Sequence, residues 1–377
     1  MKKKLALLLA LLAAVLGLPG LTVHGEELEV SAPAAVLMEA GTGQVLFEKN
    51  AHEVRACASI TKVMTLCLTF EAMEQGKLRL EDQLSASAHA ASMGGSDIWL
   101  KEGEQMSVDD LIKATVIMSA NDAAVVLAEN VAGSEEAFVA RMNEKAAALG
   151  MKETSFKNCN GLDEEGHVTS AYDVALMSRE LIKYEKITDY TLTWMDSVRD
   201  GATQLVNTNK LIRSYKGITG LKTGTTSQAG SCIAATAERG GLRLIAVVLG
   251  AGSTDDRFRD AAALLDYGFA GWSVTVPEAP ELAPVPVLRG MEETVEARAG
   301  AMPEILMEAA QAGQVEEKLE WKKNLTAPVE EGDVIGRVTY SVGGKEVAQV
   351  DLTAARSVEA VTFSSAFRYL LWGFLRL

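Results

Sequence analysis

Apolar residues recur at helical spacing from residue 59 to about residue 183. An apolar position every three or four residues places those side chains on one face of a helix. Four segments show this pattern over at least ten residues: DDLIKATVIM, NDAAVVLAENVA, EEAFVARMNEKAAAL and SAYDVALMSRELIKY. We therefore expect the middle of the chain to be mostly helical.

Short apolar runs bounded by turn residues lie on both sides of this helical region. AVLMEAGTGQVLFEK contains two such runs around Gly41-Thr42-Gly43, which is typical of a hairpin. From Gly220 onward, GLKTGTT, GSCIAATAE and LRLIAVVLGA predict further strands, and DDRFRDAAALLDYGF then returns to helical spacing. The order predicts an α+β domain, residues 26–275, whose sheet joins both ends of the domain.

Four of the eight prolines fall between Pro277 and Pro286, which indicates a domain boundary. Short strand-like runs follow, so residues 276–355 are predicted to form a small β-rich domain. Residues 1–25 combine Lys2, Lys3 and Lys4 with an apolar run and a small residue at Gly25, the pattern of a secretory signal peptide. A retained membrane anchor is the alternative, but the apolar run is short for a span.

Residues 356–377 predict an amphipathic helix. At 100° per residue, apolar and polar side chains separate onto two faces; the apolar one carries Phe363, Phe367, Leu370, Leu371, Phe374 and Leu377. We expect this helix to lie in the membrane interface and to hold an exported protein at the outer face of the cytoplasmic membrane. A helix docked on the protein itself and a membrane span are the alternatives.

The formal net charge is −15, and removal of the three leader lysines leaves about −18. Such a charge repels nucleic acid, so nucleic acid is not an expected partner. The four cysteines, Cys57, Cys67, Cys159 and Cys232, lack metal-ligand spacing, so no metal is expected. They could form disulfides or remain as buried thiols.

Three short motifs carry candidate chemistry: Ser59-Ile60-Thr61-Lys62, Ser119-Ala120-Asn121 and Lys222-Thr223-Gly224. Each is weak alone, because Ser59, Ser119 and Asn121 also suit helix N-caps and Lys222 suits a solvated strand. Together and in this order they are the signature set of penicillin-binding proteins and serine β-lactamases.

The sequence around these motifs resembles the low-molecular-weight D-alanyl-D-alanine carboxypeptidases. The resemblance covers nearly the whole first domain, through stretches such as TGQVLFEKNAHEVRACASITKVMT, MSANDAAVVLAE and NTNKLIRSYKGITGLKTGTTSQAGSC. It implies a β-lactamase/transpeptidase-like domain, with an antiparallel sheet flanked by helices and a helical subdomain. Cys57 stands where proline is often found, and Cys159-Asn160 where Pro-His is common, so these positions put local packing and substrate tuning in question.

Acyl transfer requires a serine activated by a nearby base. Positions i and i+3 share a helix face, so Lys62 can reach Ser59 and act as its general base if burial and a second cation such as Lys222 lower its pKa. By the resemblance, Ser119 passes a proton to the leaving nitrogen. Asn121 holds the substrate carbonyl or supports Lys62.

The resemblance also implies that Lys222 and the Thr223 hydroxyl face the terminal carboxylate of the substrate. Gly224 permits close approach of backbone and substrate. The backbone amides of Ser59 and Thr225 are expected to form the oxyanion hole.

The expected activity is removal of the terminal D-alanine from peptidoglycan stem pentapeptides, with β-lactams as covalent inhibitors and no cofactor. A serine β-lactamase, a D,D-endopeptidase and a non-catalytic wall-binding protein are the alternatives. His167 has no motif around it, and we expect it to be structural.

Overall fold

The computed structural model describes residues 28–375. The predicted signal peptide, residues 1–25, lies outside the described residues. The strands in chain order are β1 (Ala34–Glu39), β2 (Val45–Lys49), β3 (Gln83–Ser85), β4 (Gln105–Ser107), β5 (Met195–Val198), β6 (Thr203–Val206), β7 (Ile218–Thr226), β8 (Gly230–Arg239), β9 (Leu242–Ala251), β10 (Trp272–Thr275), β11 (Val285–Pro286), β12 (Thr294–Val295), β13 (Ala297–Ala299), β14 (Ile305–Glu308), β15 (Val315–Trp321), β16 (Val334–Val342) and β17 (Lys345–Ala354).

Ten α-helices lie within the described part of the chain. They are α1 (Lys62–Glu74), α2 (Ala88–Ala91), α3 (Val108–Lys113), α4 (Asn121–Ala132), α5 (Glu135–Ala148), α6 (Ala171–Leu181), α7 (Ile187–Thr191), α8 (Leu211–Ser214), α9 (Thr254–Gly271) and α10 (Phe363–Leu375).

The central sheet joins the two ends of the first domain, and the predicted α+β fold is confirmed. Its five strands run in the order β2-β1-β9-β8-β7, and every neighbouring pair is antiparallel. The early hairpin meets the late strands where β1 pairs with β9, with Val36 opposite Val247. Strand β7 lies at one edge, so its outer side is available to whatever packs beside it.

Both faces of the sheet are covered, which explains why β1 reads as one continuous apolar run. Successive side chains of a strand point to opposite faces. Val36 packs into the core shared with the helical region, whereas Leu37 packs into the core under α9. Helix α9 presents an apolar stripe to that second core: Phe258, Ala261, Leu264 and Leu265.

Helix α1 runs through the centre of the helical region and is buried on nearly every side. The helix predicted over residues 109–118 is interrupted, because α3 ends at Lys113 and a π-helical turn follows over Ala114–Met118. Ser119 then adopts a left-handed backbone with φ 65°. This break ends the helical path and directs the chain into α4.

Residues beyond β10 form the smaller β-rich unit. Its main sheet has the order β13-β17-β16-β15, and two apolar clusters lie against it. The boundary predicted between residues 275 and 276 falls at the end of β10. That strand follows α9 directly and pairs with β14, so the sheet it forms uses chain from both sides of the boundary.

The C-terminal helix is shorter than the predicted segment 356–377. Val358 exchanges backbone hydrogen bonds with Val329, and the Val361 amide donates to the Arg289 carbonyl, so this stretch is tied to the β-rich unit. Helix α10 therefore begins only at Phe363. Phe363, Phe367 and Leu371 lie four residues apart on one face and are all exposed. Among the described residues, no helix is long and apolar enough to cross a membrane.

Candidate active site

Ser59 lies in a 3₁₀ turn, Ala58–Thr61, that leads directly into α1. The capping interpretation of Ser59 is wrong, because α1 begins at Lys62 and its N-cap position is Thr61. The Ser59 hydroxyl instead accepts a hydrogen bond from Lys62 Nζ at 3.0 Å. The spacing of three residues thus places the amine beside the hydroxyl.

Gly161 and Gly224 allow the backbone of neighbouring segments to pack closely against this turn. A Cβ on Gly161 would lie 2.0 Å from the Ala58 carbonyl oxygen, and one on Gly224 would lie 2.9 Å from the Ser59 nitrogen. Any side chain at either position would push the turn away from its neighbours. Ala58 itself has φ 51°, a conformation that costs a residue with a Cβ about 1–2 kcal/mol. Gly161 was not among the predicted residues, although Asn160-Gly161 is a typical turn pair.

His167 supports the Ala58–Thr61 turn through a hydrogen bond to Thr61. Its Nδ1 accepts a hydrogen bond from the Lys157 amide at 3.0 Å, so the proton is on Nε2, which donates to Thr61 Oγ1 at 2.7 Å. The Thr61 hydroxyl in turn donates to the Ala58 carbonyl at 2.9 Å. Burial lowers the pKa of His167 to about 4, so the ring is neutral at physiological pH. The histidine is therefore a structural support of the turn.

Lys62 is fully buried and is surrounded by oxygen acceptors from three separate segments. Besides Ser59, its Nζ donates to Asn121 Oδ1 at 2.6 Å and to the Asn160 carbonyl at 2.7 Å. Burial lowers the pKa of Lys62 to about 7, against the opposing effects of Cys159, Asp97 and Asp122. The amine is poised to exchange a proton near neutral pH.

Asn121 connects the second motif to the first. Its side-chain amide nitrogen donates to the Gly94 carbonyl at 2.6 Å, which orients the oxygen toward Lys62. Neither Ser119 nor Asn121 caps α4, whose N-cap position is Ala120. Ser119 is buried beside this contact, but within the described residues its hydroxyl makes no hydrogen bond to either Lys62 or Lys222.

Lys222 lies on β7 as predicted, but it is buried rather than solvated. Burial holds the pKa of Lys222 well below its usual range, and repulsion from Lys62 and Arg257 lowers it further. For Lys62, burial is the main cause of the lowered pKa. The repulsion between the two lysines therefore lowers mainly the pKa of Lys222.

The two threonines of β7 differ in availability. Thr223 is buried, and its hydroxyl donates to Thr208 Oγ1 at 2.6 Å. Lys222 and Thr223 are successive residues of a strand, so their side chains point to opposite faces, and the expectation that both face the substrate carboxylate stays a prediction. Thr225 is exposed, and its hydroxyl accepts from an Arg257 guanidinium nitrogen at 2.8 Å.

Arg257 is a site residue that the sequence motifs did not reveal. It projects from α9, is buried, and also donates to the Gly224 carbonyl at 3.0 Å. Helical spacing in DDRFRDAAALLDYGF places Arg257 on the same face as Ala261 and Leu264 and Arg259 on the exposed side, so an arginine on an apolar face is the signal in the sequence that marks it. With Lys222 and Lys62, Arg257 places three basic side chains at this end of the cleft in an otherwise acidic protein.

The four cysteines are free and buried, so the buried-thiol alternative is the one observed. Cys57 Sγ lies 3.4 Å from Thr61 Oγ1, within the turn that carries Ser59. Burial raises the pKa of Cys57 to about 12, which leaves the thiol protonated and weakly reactive.

Comparison with known proteins identifies two sequence families in the chain. The family model described as D-alanyl-D-alanine carboxypeptidase matches residues 21–253, and the model described as the C-terminal domain of penicillin-binding protein 5 matches residues 278–360. The chain is 41% identical over 343 residues to D-alanyl-D-alanine carboxypeptidase DacF of Bacillus subtilis, covering 89% of this chain and 88% of that protein. It is 34% identical to DacC of Escherichia coli over 348 residues, covering 88% of this chain and 85% of the relative.

Solved structures of penicillin-binding proteins are also similar to this chain. Penicillin-binding protein 5 from Haemophilus influenzae superposes with a TM-score of 0.75 at 30% identity, covering 88% of this chain and 98% of that structure. Penicillin-binding protein 6B from Escherichia coli gives a TM-score of 0.72 at 29% identity, covering 88% and 97%. Both alignments extend through the catalytic and the β-rich units.

The environment of His167 generates a pH prediction. The unfolded chain binds a proton at the ordinary pKa of 6.5, whereas the folded protein binds it only near pH 4. The neutral ring therefore contributes stability that is present above pH 6.5 and is lost as the pH falls to about 4. The free energy of unfolding falls by about 3 kcal/mol over this range.

We expect His167→Gln to reduce the loss of unfolding free energy between pH 7 and pH 4.5, measured by urea denaturation. The exposed His52, changed to Gln, is the matched control; equal pH slopes in both variants would contradict the prediction.

Proposed function

This chain belongs to the D-alanyl-D-alanine carboxypeptidase family of serine peptidases, and from that premise we propose that Ser59 is the nucleophile that attacks the D-Ala-D-Ala bond of peptidoglycan stem peptides. The observation that carries the proposal is the buried Lys62 amine 3.0 Å from the Ser59 hydroxyl. Peptidoglycan is the substrate and β-lactams are covalent ligands of this family.

Lys62 serves as the general base. In its neutral form the amine has a lone pair, and the hydrogen bond to Ser59 reverses, so that the hydroxyl donates its proton to nitrogen as Ser59 attacks. Asn121 and the Asn160 carbonyl accept the remaining N–H groups and hold the lone pair toward Ser59. A pKa of about 7 supports this role, since a large fraction of Lys62 is then neutral at neutral pH.

The negative charge that develops on the substrate carbonyl oxygen is bound by the backbone amides of Ser59 and Thr225. The Ser59 amide belongs to the first turn of a helical segment, where N–H groups have no intrahelical partner. Gly224 permits β7 to approach this turn closely, which is what two convergent donors require. Each such donor is worth about 3 kcal/mol of transition-state stabilisation in comparable enzymes.

The end of the cleft that carries Lys222 and Arg257 recognises the terminal carboxylate. Arg257 supplies positive charge, a carboxylate bound beside Lys222 favours the ammonium form of that buried amine, and the exposed Thr225 hydroxyl lies beside Arg257. Thr223 contributes indirectly, since its bond to Thr208 braces the strand. A free carboxylate in this position distinguishes a chain end from an internal peptide bond.

When the tetrahedral intermediate collapses to the Ser59 ester, Ser119 gives its hydroxyl proton to the departing D-alanine nitrogen and takes in its place the proton that Lys62 removed from Ser59, so Lys62 becomes neutral again. The left-handed backbone of Ser119 at the end of the π-helical turn places it next to Asn121, which contacts Lys62. Water then attacks the ester while the neutral Lys62 takes the water proton, and Lys62 returns that proton to the Ser59 oxygen as the shortened peptide leaves.

The direct test uses a synthetic pentapeptide ending in D-Ala-D-Ala and a fluorescent penicillin. We expect the wild-type protein to release one D-alanine per peptide and to carry the penicillin adduct on the peptide fragment containing Ser59. Ser59→Ala should abolish both signals, whereas Ser214→Ala, at an exposed serine of α8, should change neither. An adduct mapped outside residues 59–62 would contradict the assignment.

The pH dependence of acylation tests Lys62. Because the neutral amine is the active form, the acylation rate should fall as the pH drops below about 7. The Asp97 carboxylate raises the pKa of Lys62, so Asp97→Asn should move this acidic limb to lower pH. The change is measured as the rate of penicillin acylation between pH 5 and pH 9. Asp110→Asn, at a half-buried carboxylate of α3, should leave the acidic limb in place. An acidic limb that Asp97→Asn does not move would contradict the proposed effect of Asp97 on the pKa of Lys62.

We further propose that the protein is exported and that α10 holds it at the outer face of the cytoplasmic membrane. The leader-like residues 1–25 support export, and the exposed face of Phe363, Phe367 and Leu371 supports interfacial binding. Helix α10 has 13 residues and is thus about 20 Å long, which is too short for a hydrocarbon core of about 30 Å.

Deletion of residues 363–377 should release the protein from membranes while its turnover of a soluble pentapeptide stays nearly unchanged. The cut after residue 362 leaves intact the backbone bonds that tie residues 358–361 to the β-rich unit. The measurement is sedimentation with vesicles that contain anionic lipid, with the full mature chain as control. A truncated protein that still sediments with the vesicles would show that the anchor lies elsewhere.

A further inference from the structure

Trp99 is an exposed tryptophan in the loop between α2 and β4. It is 72% exposed, although tryptophan is highly buried on average in folded proteins. Its backbone has φ 56°, a left-handed conformation that is a genuine outlier for a bulky residue. Such conformations persist only where the surrounding structure enforces them, and they cluster at functional sites.

The residues on either side of Trp99 are fixed from two directions. The Asp122 carboxylate accepts hydrogen bonds from the Ile98 amide at 3.2 Å and from the Leu100 amide at 2.9 Å. The Arg199 guanidinium donates to the Ile98 carbonyl at 2.7 Å and is itself held by Glu104 at 2.6 Å. Because the side chains of Ile98 and Leu100 are buried, the strained residue between them is turned outward.

The loop that carries Trp99 is bonded to the Ser119-Ala120-Asn121 motif. The Asn121 backbone amide donates to the Ser96 carbonyl at 2.6 Å, and its side-chain amide donates to the Gly94 carbonyl at the same distance. Trp99 lies three positions after Ser96, and the Leu100 amide that follows it is held by Asp122, the residue after Asn121, so the Trp99 backbone lies within roughly 10 Å of Asp122. The exposed Trp99 side chain is therefore carried close to the Ser119-Ala120-Asn121 motif.

We propose that the face of the Trp99 indole binds the sugar to which the stem peptide is attached, and so makes this enzyme favour glycan-linked substrate over free peptide. The inference rests on the proposed function of the site. Four residues of an extended stem separate the cleaved bond from the sugar and span roughly 13 Å, so the sugar lies outside the buried cleft, on the exposed surface to which the Trp99 side chain belongs. The apolar C–H face of a pyranose ring packs on the flat face of an indole, which an isolated exposed tryptophan offers.

The test compares two substrates that share one pentapeptide ending in D-Ala-D-Ala, one free and one linked to its N-acetylglucosaminyl-N-acetylmuramyl disaccharide. D-Alanine release gives kcat/KM for each. We expect Trp99→Ala and Trp99→Gly to lower kcat/KM for the disaccharide substrate by about fivefold to tenfold, with the free peptide unchanged. Trp99→Phe should retain part of the preference, and Val334→Ala, at an exposed apolar residue of the β-rich unit, should retain all of it.

The two truncations separate the indole from the backbone strain. Glycine adopts a positive φ without strain, whereas alanine adopts it only at a cost in stability, so Trp99→Gly should melt about 2 °C above Trp99→Ala, while both lose the glycan preference equally. Equal losses on both substrates, or no loss on either, would overturn the proposal. Weakened vesicle binding with unchanged disaccharide turnover would also overturn it and would assign Trp99 to the membrane. A wild-type protein that releases no D-alanine from either substrate would instead refute the proposed function.

Discussion

The burial of one lysine is the constraint on which the rest of this site depends. An isolated ammonium in a protein interior is strongly unfavourable, so Lys62 must either lose its proton or find partners for it. In this fold Lys62 loses its proton more readily than an exposed lysine and also has hydrogen-bond partners. Lys62 is fully buried, which lowers its pKa to about 7, and three oxygens from separate segments accept its N–H groups. A group balanced in this way can give and take a proton at neutral pH, which an exposed lysine cannot do.

The surroundings of Lys62 explain why the helical region is built as it is. Helix α1 is buried on nearly every side, so a lysine in its first turn has no route to solvent. The break at Ser119 brings Asn121 to the amine, and the close approach of Gly161 to Ala58 brings the neighbouring Asn160 carbonyl. Each of these contacts needs an irregular backbone at one point, and the regular helices around them hold that irregularity in place.

Charge is distributed unevenly over the molecule. The chain as a whole is strongly acidic, yet Lys62, Lys222 and Arg257 are all buried around one cleft. Burial makes each cation costly, and mutual repulsion adds to the cost at Lys222. An anionic group bound there would relieve that repulsion, which is the physical reason for the proposed recognition of a terminal carboxylate.

Local pattern was sufficient for most of the elements and for the order of the chemical motifs, but not for the π-helical turn before Ser119 or for the start of α10. Apolar periodicity predicted the helices, the sheet that joins both ends of the first domain and the β-rich unit, because these depend on which side chains must leave water. The three-residue spacing predicted that Lys62 could reach Ser59, since both lie on one turn. Contacts between distant segments could not be predicted in this way. Arg257 reaches Thr225 from a helix that no motif marks, Thr223 turns to Thr208, and His167 supports Thr61 across more than a hundred residues. Only the tertiary structure decided these partners, because hydrogen bonds between remote segments depend on how the sheet and helices pack together, and the sequence near any one residue carries no record of that packing.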